Sequence, residues 1–382
     1  IDGLKGFGPL LDDAALVRLH LAIDDRFSFL PSREVFIDVV QDLGRCNGFH
    51  PVLTYLAALI WDGVPRIEKW LIDCAGATAL SGDNNPQSVE YVKAVGRIML
   101  IAAVRRVRQP GCKFDEMPIF EGKQGNNKST ALRLLAVCDE WFTDSLPLAG
   151  DVKVQMEAIS GYWIVEAAEL VGLRKGDVEA LKSFLSRCVD KARMAYGRLP
   201  TIAPRQCIIV GTTNSAHYLM DSSGGRRFWP IRINEFDLGI LKSIRDQLWA
   251  EAAHREALGE SIRLDPSLYD AAGAVQESRR VVDPYVDTLA AALGNARGKI
   301  RGEQVWDILE RPKGQRTQGD GRRLVEAMRE LGWERTRLRF DGTPETCYVR
   351  GETPAEREQT VNVDGVGFGG AGTVDLGVKE DV

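Results

Sequence analysis

Histidine is scarce in this sequence, and the cysteines are too scattered to form a framework. There are 4 histidines in 382 residues, and they form no zinc-binding pattern with the cysteines, so no structural metal is predicted. The 7 cysteines are odd in number and include no close pair. That usage argues against a disulfide framework and predicts a reducing, cytoplasmic location.

Long apolar runs and an excess of positive charge are also lacking. The apolar run at 98–104 is far shorter than a membrane-spanning helix, and no segment resembles a secretory signal, so no membrane partner is expected. The net charge is −5, so any nucleic acid must be contacted by local basic patches. The first residue is Ile, and we expect the sequence to be a piece of a longer chain.

The chain is organised around a glycine-containing loop between a predicted strand and a predicted helix. Met117–Phe120 is apolar and typical of a buried strand, and a helix is predicted from Lys128 onward. Backbone N–H groups of such a loop bind phosphate oxygens, while Lys128 would reach the β/γ-phosphates of ATP and Ser129 would ligate Mg²⁺. The predicted nucleotide-binding residues are Gly122, Gln124, Gly125, Asn126, Asn127, Lys128, Ser129 and Thr130.

The loop departs from the usual motif at one position. Asn127 stands where the motif has glycine before the lysine. Asparagine tolerates left-handed backbone geometry and caps helix N-termini, so the loop can keep its shape. Two interpretations stay open, a working nucleotide site and a decayed loop in a nucleic-acid-binding or regulatory module.

Two further predicted strands end in polar residues. The strand at 161–170 carries Glu166 and Glu169, and the strand at 206–214 ends at Asn214. A nucleotide hydrolase needs a carboxylate at a strand end to hold Mg²⁺ and polarise water. We therefore predict an α/β fold with a parallel sheet whose carboxyl edge gathers these residues. Each could instead be a surface or turn-capping residue.

Two basic segments lie around the third strand. Arg226 and Arg227 follow two glycines, and an arginine delivered to a neighbouring subunit's nucleotide accelerates hydrolysis by roughly 10³- to 10⁵-fold. That role requires a dimer or a ring. The alternative is that the two arginines form ion pairs with carboxylates on the protein surface. The stretch 181–205 combines cations with a tyrosine, which suits single-stranded nucleic acid, although a solvated helix face explains part of it. Its candidate contacts are Arg187, Lys191, Arg193 and Tyr196.

The C-terminal part is predicted to be a separate basic unit. Two helices and a hairpin with a glycine turn indicate a small winged-helix-like domain. Residues 297–339 contain 12 Lys or Arg against 7 Asp or Glu, which favours DNA contact, with protein docking as the alternative. The candidate contacts are Arg322, Arg323 and Arg337. The predicted segments are a helical domain (1–109), an ATPase core (110–240), a helical lid or linker (241–281), the basic unit (282–350) and a disordered tail (351–382).

Several short motifs together resemble one family. His50-Pro51, the run Trp61–Arg66 and the run Pro110–Asp115, followed by the loop at Gly122, are similar to the virulence-associated protein E family of phages and bacterial mobile elements. That family resembles superfamily 3 helicases and the helicase halves of viral primase-helicases.

The resemblance has consequences for fold and function. It implies a P-loop NTPase core of the AAA+/superfamily 3 type and an Mg-dependent ATPase that acts as a DNA helicase or replication motor in a homo-oligomeric ring. Single-stranded or forked DNA would be the substrate, contacted in part by a hairpin within 181–205. By resemblance, Glu169 lies nearest the attacking water, Glu166 is the metal-side acid, Asn214 senses the γ-phosphate, and Arg226 or Arg227 acts in trans. An ATP-driven remodeller of protein complexes is the remaining alternative.

Overall fold

The structure is a computed structural model, and it describes residues 11–77, 87–147, 151–168, 170, 175–193, 200–215, 217–219, 225–280, 283–340 and 343–361. The chain divides into two compact units. The first comprises Ile1–Glu169, Ala180–Asn214 and Arg227–Ala272, and the second comprises Leu170–Glu179, Ser215–Arg226 and Gly273–Val382. Within the described ranges, no helix combines the length and apolarity needed to cross a bilayer.

The first unit begins with helices. They are α1 (Asp13–Phe27), α2 (Arg33–Cys46), α3 (Pro51–Ala58), α4 (Trp70–Ala75) and α5 (Val89–Arg108). Side chains at their N-termini explain several starts, since Asp12, Ser32 and Ser88 each accept a hydrogen bond from a backbone N–H of the first turn. α5 has the bounds that its apolar periodicity predicts, and most of its residues are buried.

A parallel sheet forms the centre of the first unit. The chain continues with β1 (Met117–Glu121), α6 (Lys128–Leu135), β2 (Phe142–Thr143), α7 (Val152–Ile159), β3 (Ile164–Ala167), α8 (Lys175–Leu185), β4 (Val189–Ala192), β5 (Thr201–Pro204), β6 (Ile208–Thr213), β7 (Phe228–Arg232), α9 (Leu238–Ala257) and α10 (Tyr269–Glu277). The strand order is β2-β3-β6-β1-β7, and every neighbouring pair is parallel. The predicted α/β class and parallel sheet are therefore confirmed.

The sheet brings three predicted strand ends together. β6 lies between β1 and β3, with Glu121 opposite Thr213 and Glu166 opposite Val210. The strands are nearly all buried, as expected for a parallel sheet covered by helices. β4 and β5 form a separate antiparallel pair outside this sheet, with Lys191 opposite Ile202.

The second unit contains a three-stranded antiparallel sheet and helices. Its elements are α11 (Pro284–Leu293), β8 (Gly298–Arg301), α12 (Gly302–Ile308), α13 (Gln318–Glu330), β9 (Glu334–Phe340), β10 (Thr343–Arg350) and α14 (Pro354–Glu358), with strand order β8-β10-β9. Apolar residues of α11, α12, α13 and β10 form its core together with Trp333.

Residues 351–361 correct the prediction of a disordered tail for that part of the chain. α14 begins with a capping box on Thr353 and Glu356. Beyond it, the Lys299 N–H donates to the Gln359 carbonyl at 2.7 Å and the Val361 N–H donates to the Lys299 carbonyl at 2.9 Å. This segment therefore pairs with the edge strand β8. Residues 362–382 lie outside the described part of the chain.

Candidate nucleotide-binding site

The loop between β1 and α6 has the backbone geometry of a tight turn. Gly125 has a φ of +90°, and Asn127 has φ 58° and ψ 24°, in the left-handed region. The Asn127 side chain does not cap α6. Its Nδ2 instead donates to Glu235 Oε1 at 3.3 Å and to the Phe236 carbonyl at 3.4 Å. Asparagine thus adopts the conformation that glycine usually supplies, and it also ties the loop to the segment after β7.

Lys128 lies at the first position of α6 with its side chain turned back into the loop. Its Nζ donates to the carbonyls of Gly122 and Lys123, at 2.8 and 2.9 Å, and to Asn214 Oδ1 at 2.8 Å. The side chain is buried, and burial lowers the pKa of Lys128 below its ordinary value while the charge of Glu166 opposes that shift. The lysine and the predicted sensor residue are therefore direct neighbours.

Glu166, the predicted metal-side acid, contacts the same helix. Ser129 Oγ donates to Glu166 Oε1 at 2.7 Å, and Thr212 Oγ1 donates to the same oxygen at 2.5 Å. Glu166 is fully buried, and its Oε2 is a buried atom that has no hydrogen-bond partner among the residues the structure describes. A buried carboxylate oxygen without a partner is costly, so this atom is a group that a ligand would satisfy.

The donor set fits Mg²⁺ bound together with a nucleotide. Mg²⁺ is usually held by one or two protein oxygens, with phosphates and waters completing the octahedron. The Ser129 hydroxyl donates its one hydrogen bond to Glu166 Oε1 and so keeps its oxygen lone pairs available, and Oε2 is the second oxygen of that same carboxylate. In the described ranges no cluster of three or more His, Cys, Asp or Glu could hold a metal ion.

The remaining predicted residues of the loop and strands are placed as follows. Gln124, Gly125 and Thr130 are exposed on the loop and helix start, and Asn214 is exposed beyond the end of β6. Glu169 lies outside the described residues, so its predicted part in water activation remains a prediction. Thr212 was not predicted, although its position two residues before Asn214 on a buried strand was a signal for it.

The two candidate arginines differ in their surroundings. Arg226 is exposed, whereas Arg227 is half-buried and its Nε donates to Asp115 Oδ2 at 3.4 Å. Asp115 also accepts from Arg263 at 3.3 Å. The alternative of a structural ion pair therefore applies to Arg227.

The predicted nucleic-acid contacts of the β4–β5 pair differ in exposure. Lys191 and Arg193 are exposed, and Tyr196 lies outside the described residues. Arg187 packs over Phe184 and donates to Gln155 Oε1 at 3.2 Å, so part of its donor capacity is used within the fold.

In the second unit, Arg322 and Arg337 are exposed. The Arg323 Nε donates to both carboxylate oxygens of Asp283, at 2.6 and 2.8 Å, and its guanidinium lies 4.1 Å from the Tyr285 ring centre. This arginine therefore joins α13 to the start of α11.

The fold and the residues at the strand ends define an α/β protein with a candidate anion site at the carboxyl edge of its sheet. Residues 56–281 match the family model described as the virulence-associated protein E-like domain. That range is more than half of the chain, so the chain belongs to this family. The resemblance drawn from the short motifs is confirmed.

Comparison with solved structures finds distant similarities. The apo structure of the NrS-1 C-terminal region is 14% identical, with a TM-score of 0.46, covering 88% of this chain and 91% of that chain. The JCV helicase is 13% identical, with a TM-score of 0.29, covering 72% of this chain and 81% of that chain. No curated protein matches the sequence.

Proposed function

We propose that the chain is an Mg²⁺-dependent ATPase that powers a superfamily 3-like DNA helicase or replication motor of a phage or mobile element. The observation that carries the proposal is the convergence at the ends of β1, β3 and β6. Lys128 contacts Asn214 at 2.8 Å, and Ser129, the next residue, contacts Glu166 at 2.7 Å. An ammonium, an amide and a carboxylate around one helix N-terminus are the groups that a triphosphate and its metal require.

The residues of the site have distinct parts in the proposed reaction. The three acceptors of Lys128 hold its ammonium at the loop, and a phosphate oxygen would replace one or more of them. Because Asn214 is one of these acceptors, nucleotide binding would change its hydrogen bonding directly. Bound Mg²⁺, held by Ser129 and Glu166, would neutralise charge on the phosphates. Glu169 is proposed to orient the attacking water.

Left-handed geometry at Asn127 supports a working loop over a decayed one. Glycine is used before the lysine because the backbone there needs a positive φ. Asn127 has that φ and keeps the helix start in place. We therefore propose a P-loop core for this sheet despite the departure from the motif at Asn127.

The arginine acting in trans is proposed to be Arg226, in a ring of identical subunits. Arg226 is exposed, whereas Arg227 is half-buried. An arginine that must reach another subunit's phosphates has to be presented at the surface.

The second unit is proposed to be a winged-helix domain that contacts DNA. Its order of helix, strand, two helices and two strands (α11, β8, α12, α13, β9, β10) supports that fold. Arg322 on α13 and the arginines of β9 are exposed. On a chain with a net charge of −5, this local positive surface is the feature that favours DNA.

The test is ATP turnover with and without single-stranded DNA for the wild type and Lys128→Ala. We expect the substitution to lower turnover by about 10²-fold or more, as when a preorganised donor to developing charge is removed. Lys153→Ala is the matched control, because Lys153 is on α7 of the same unit and its partly exposed side chain pairs with Glu157 at 3.9 Å. Unchanged turnover in Lys128→Ala would refute the enzyme proposal, and DNA-independent turnover without strand displacement would favour a protein remodeller.

A further inference from the structure

The two oxygens of Glu166 are in different situations. Oε1 accepts hydrogen bonds from two hydroxyl groups, those of Ser129 on α6 and Thr212 on β6. Oε2 is buried and accepts no hydrogen bond from the described part of the chain. A carboxylate oxygen with two strong donors is held in place, so Oε1 is an anchor and Oε2 is the oxygen left for chemistry.

We infer that Thr212 is a positioning residue that fixes Glu166 so that Oε2 faces the metal and the phosphates. This inference rests on the proposed function and assigns a further residue to it. Thr212 is 5% exposed, and its hydroxyl lies on the strand next to the one that carries Glu166. Its Oγ1 is 2.5 Å from Glu166 Oε1, closer than Ser129 Oγ at 2.7 Å.

Thr212 and Ser129 are not interchangeable as anchors. Ser129 is exposed at the start of α6, where a bound metal and phosphate would compete for its oxygen. Thr212 is buried and its β-branched side chain has restricted χ1 freedom, so its hydroxyl keeps one direction with or without ligand. Thr212 is therefore the anchor that persists through the reaction.

The same strand also orients the lysine. Residues two apart on a strand point to the same face, so Thr212 and the residue that follows the strand, Asn214, extend toward the same side of β6. Thr212 holds Glu166 of β3, and Asn214 contacts Lys128, the first residue of the helix that follows β1. β6 lies between those two strands, so one central strand aligns the acid with the ammonium.

The test compares Thr212→Val with Thr212→Ser. Valine keeps the shape of threonine and removes the hydroxyl, and serine keeps the hydroxyl. We expect Thr212→Val to lower kcat at saturating ATP, or to raise the Mg²⁺ concentration for half-maximal turnover, by about tenfold or more, since hydrogen bonds to charged groups are stronger than neutral ones. Binding of ADP without Mg²⁺ should stay within about threefold of the wild type, and Thr212→Ser should restore most of the lost rate.

Thr143→Val is the matched control. Thr143 is a buried threonine at the end of β2 in the same sheet, and its hydroxyl accepts a hydrogen bond from the Ser145 N–H, at 3.2 Å. The inference is overturned if Thr212→Val turns over ATP like Thr143→Val, or if Thr212→Ser is as impaired as Thr212→Val. It is also overturned if metal-free ADP binding falls as much as turnover, because the effect would then be loss of structure. A wild type without turnover refutes the proposed function itself, whereas an active wild type with an equally active Thr212→Val refutes only the part assigned to Thr212.

Discussion

Glu251 on α9 is predicted to be the residue that holds the Trp61–Arg66 motif in place. It is fully buried, and its Oε2 accepts the backbone N–H groups of Arg66, at 2.5 Å, and Ile67, at 3.0 Å. Its Oε1 accepts from the Arg255 guanidinium at 2.7 Å. The motif is closed on itself by two hydrogen bonds from Arg66 to Asp62, both of 2.7 Å. Glu251 thus joins a self-contained turn to the helix beside it.

The free-energy cost of removing this carboxylate follows from what it leaves behind. Glu251→Ala leaves two backbone N–H groups without their acceptor, and a donor left in that state costs about 1–3 kcal/mol, so we expect a loss of about 2–6 kcal/mol. The Arg255 guanidinium keeps Glu68 at 3.0 Å and Glu260 at 3.6 Å as partners. Glu251→Gln keeps an oxygen acceptor but loses the charge, so we expect about 1.5–3 kcal/mol. Glu157→Ala is the control, because Glu157 forms only a partly exposed pair with Lys153 at 3.9 Å, worth less than about 1 kcal/mol.

The assay is urea unfolding, monitored by hydrogen exchange of the backbone amides in α5 and α9. These two helices belong to the first unit, so their exchange reports on that unit separately from the second. The order of stabilities should be wild type and Glu157→Ala, then Glu251→Gln, then Glu251→Ala. The amides of Arg66 and Ile67 should lose protection first. A Glu251→Ala variant as stable as Glu157→Ala would show that the contacts of this carboxylate contribute nothing net, and the reasoning would fail.

Two further predictions concern Asp115 and the arginines of the second unit. Burial alone would raise the pKa of Asp115, but Lys113 and hydrogen bonds from neighbouring arginines, Arg227 among them, outweigh it and hold the pKa below its ordinary value. The ionised carboxylate therefore stabilises the fold above about pH 4, and that contribution is lost as the pH falls through the lower folded pKa. Asp115→Asn should unfold at lower urea than the wild type at pH 7, and the difference should shrink in acid; a difference independent of pH would contradict this. Arg337→Ala should weaken DNA binding and reduce the slope of log affinity against log salt by about 1. Arg323→Ala should chiefly lower the stability of the second unit. Equal salt slopes for Arg337→Ala and the wild type would count against DNA contact at Arg337.

The elements around the candidate site could be predicted because their signals are local. An apolar strand, a glycine-containing turn and an amphipathic helix follow one another directly along the chain, and α6 begins at Lys128 as expected. The strands with Glu166 and Asn214 were recognisable as continuous apolar runs, which buried parallel strands require. Contacts that join distant residues, such as that of Glu251 with Arg66, leave no local pattern.

The second unit shows a different limit of sequence reasoning. β8 has four residues, Gly298–Arg301, and runs directly into α12, and no strand was predicted ahead of that helix. Residues 351–361 contain few large apolar side chains, yet they are held by backbone pairing with Lys299, which composition does not reveal. Gly298 permits that pairing, because a Cβ at this position would lie 2.4 Å from the Gln359 carbonyl oxygen.

The consequence of Asn127 for the nucleotide site can be weighed from its contacts. A non-glycine residue in the left-handed region costs about 1–3 kcal/mol, and asparagine is among the residues that bear it best. Its two hydrogen bonds to Glu235 and Phe236, at 3.3 and 3.4 Å, are longer than the usual range, so each returns less than about 1 kcal/mol. With glycine the two Asn127 bonds would be lost, and the Phe236 N–H to Asn126 carbonyl bond, at 3.2 Å, would remain. Asn127 therefore costs some backbone strain and adds hydrogen bonds that attach the loop to the segment after β7. Its presence is no evidence that the loop has lost its ligand.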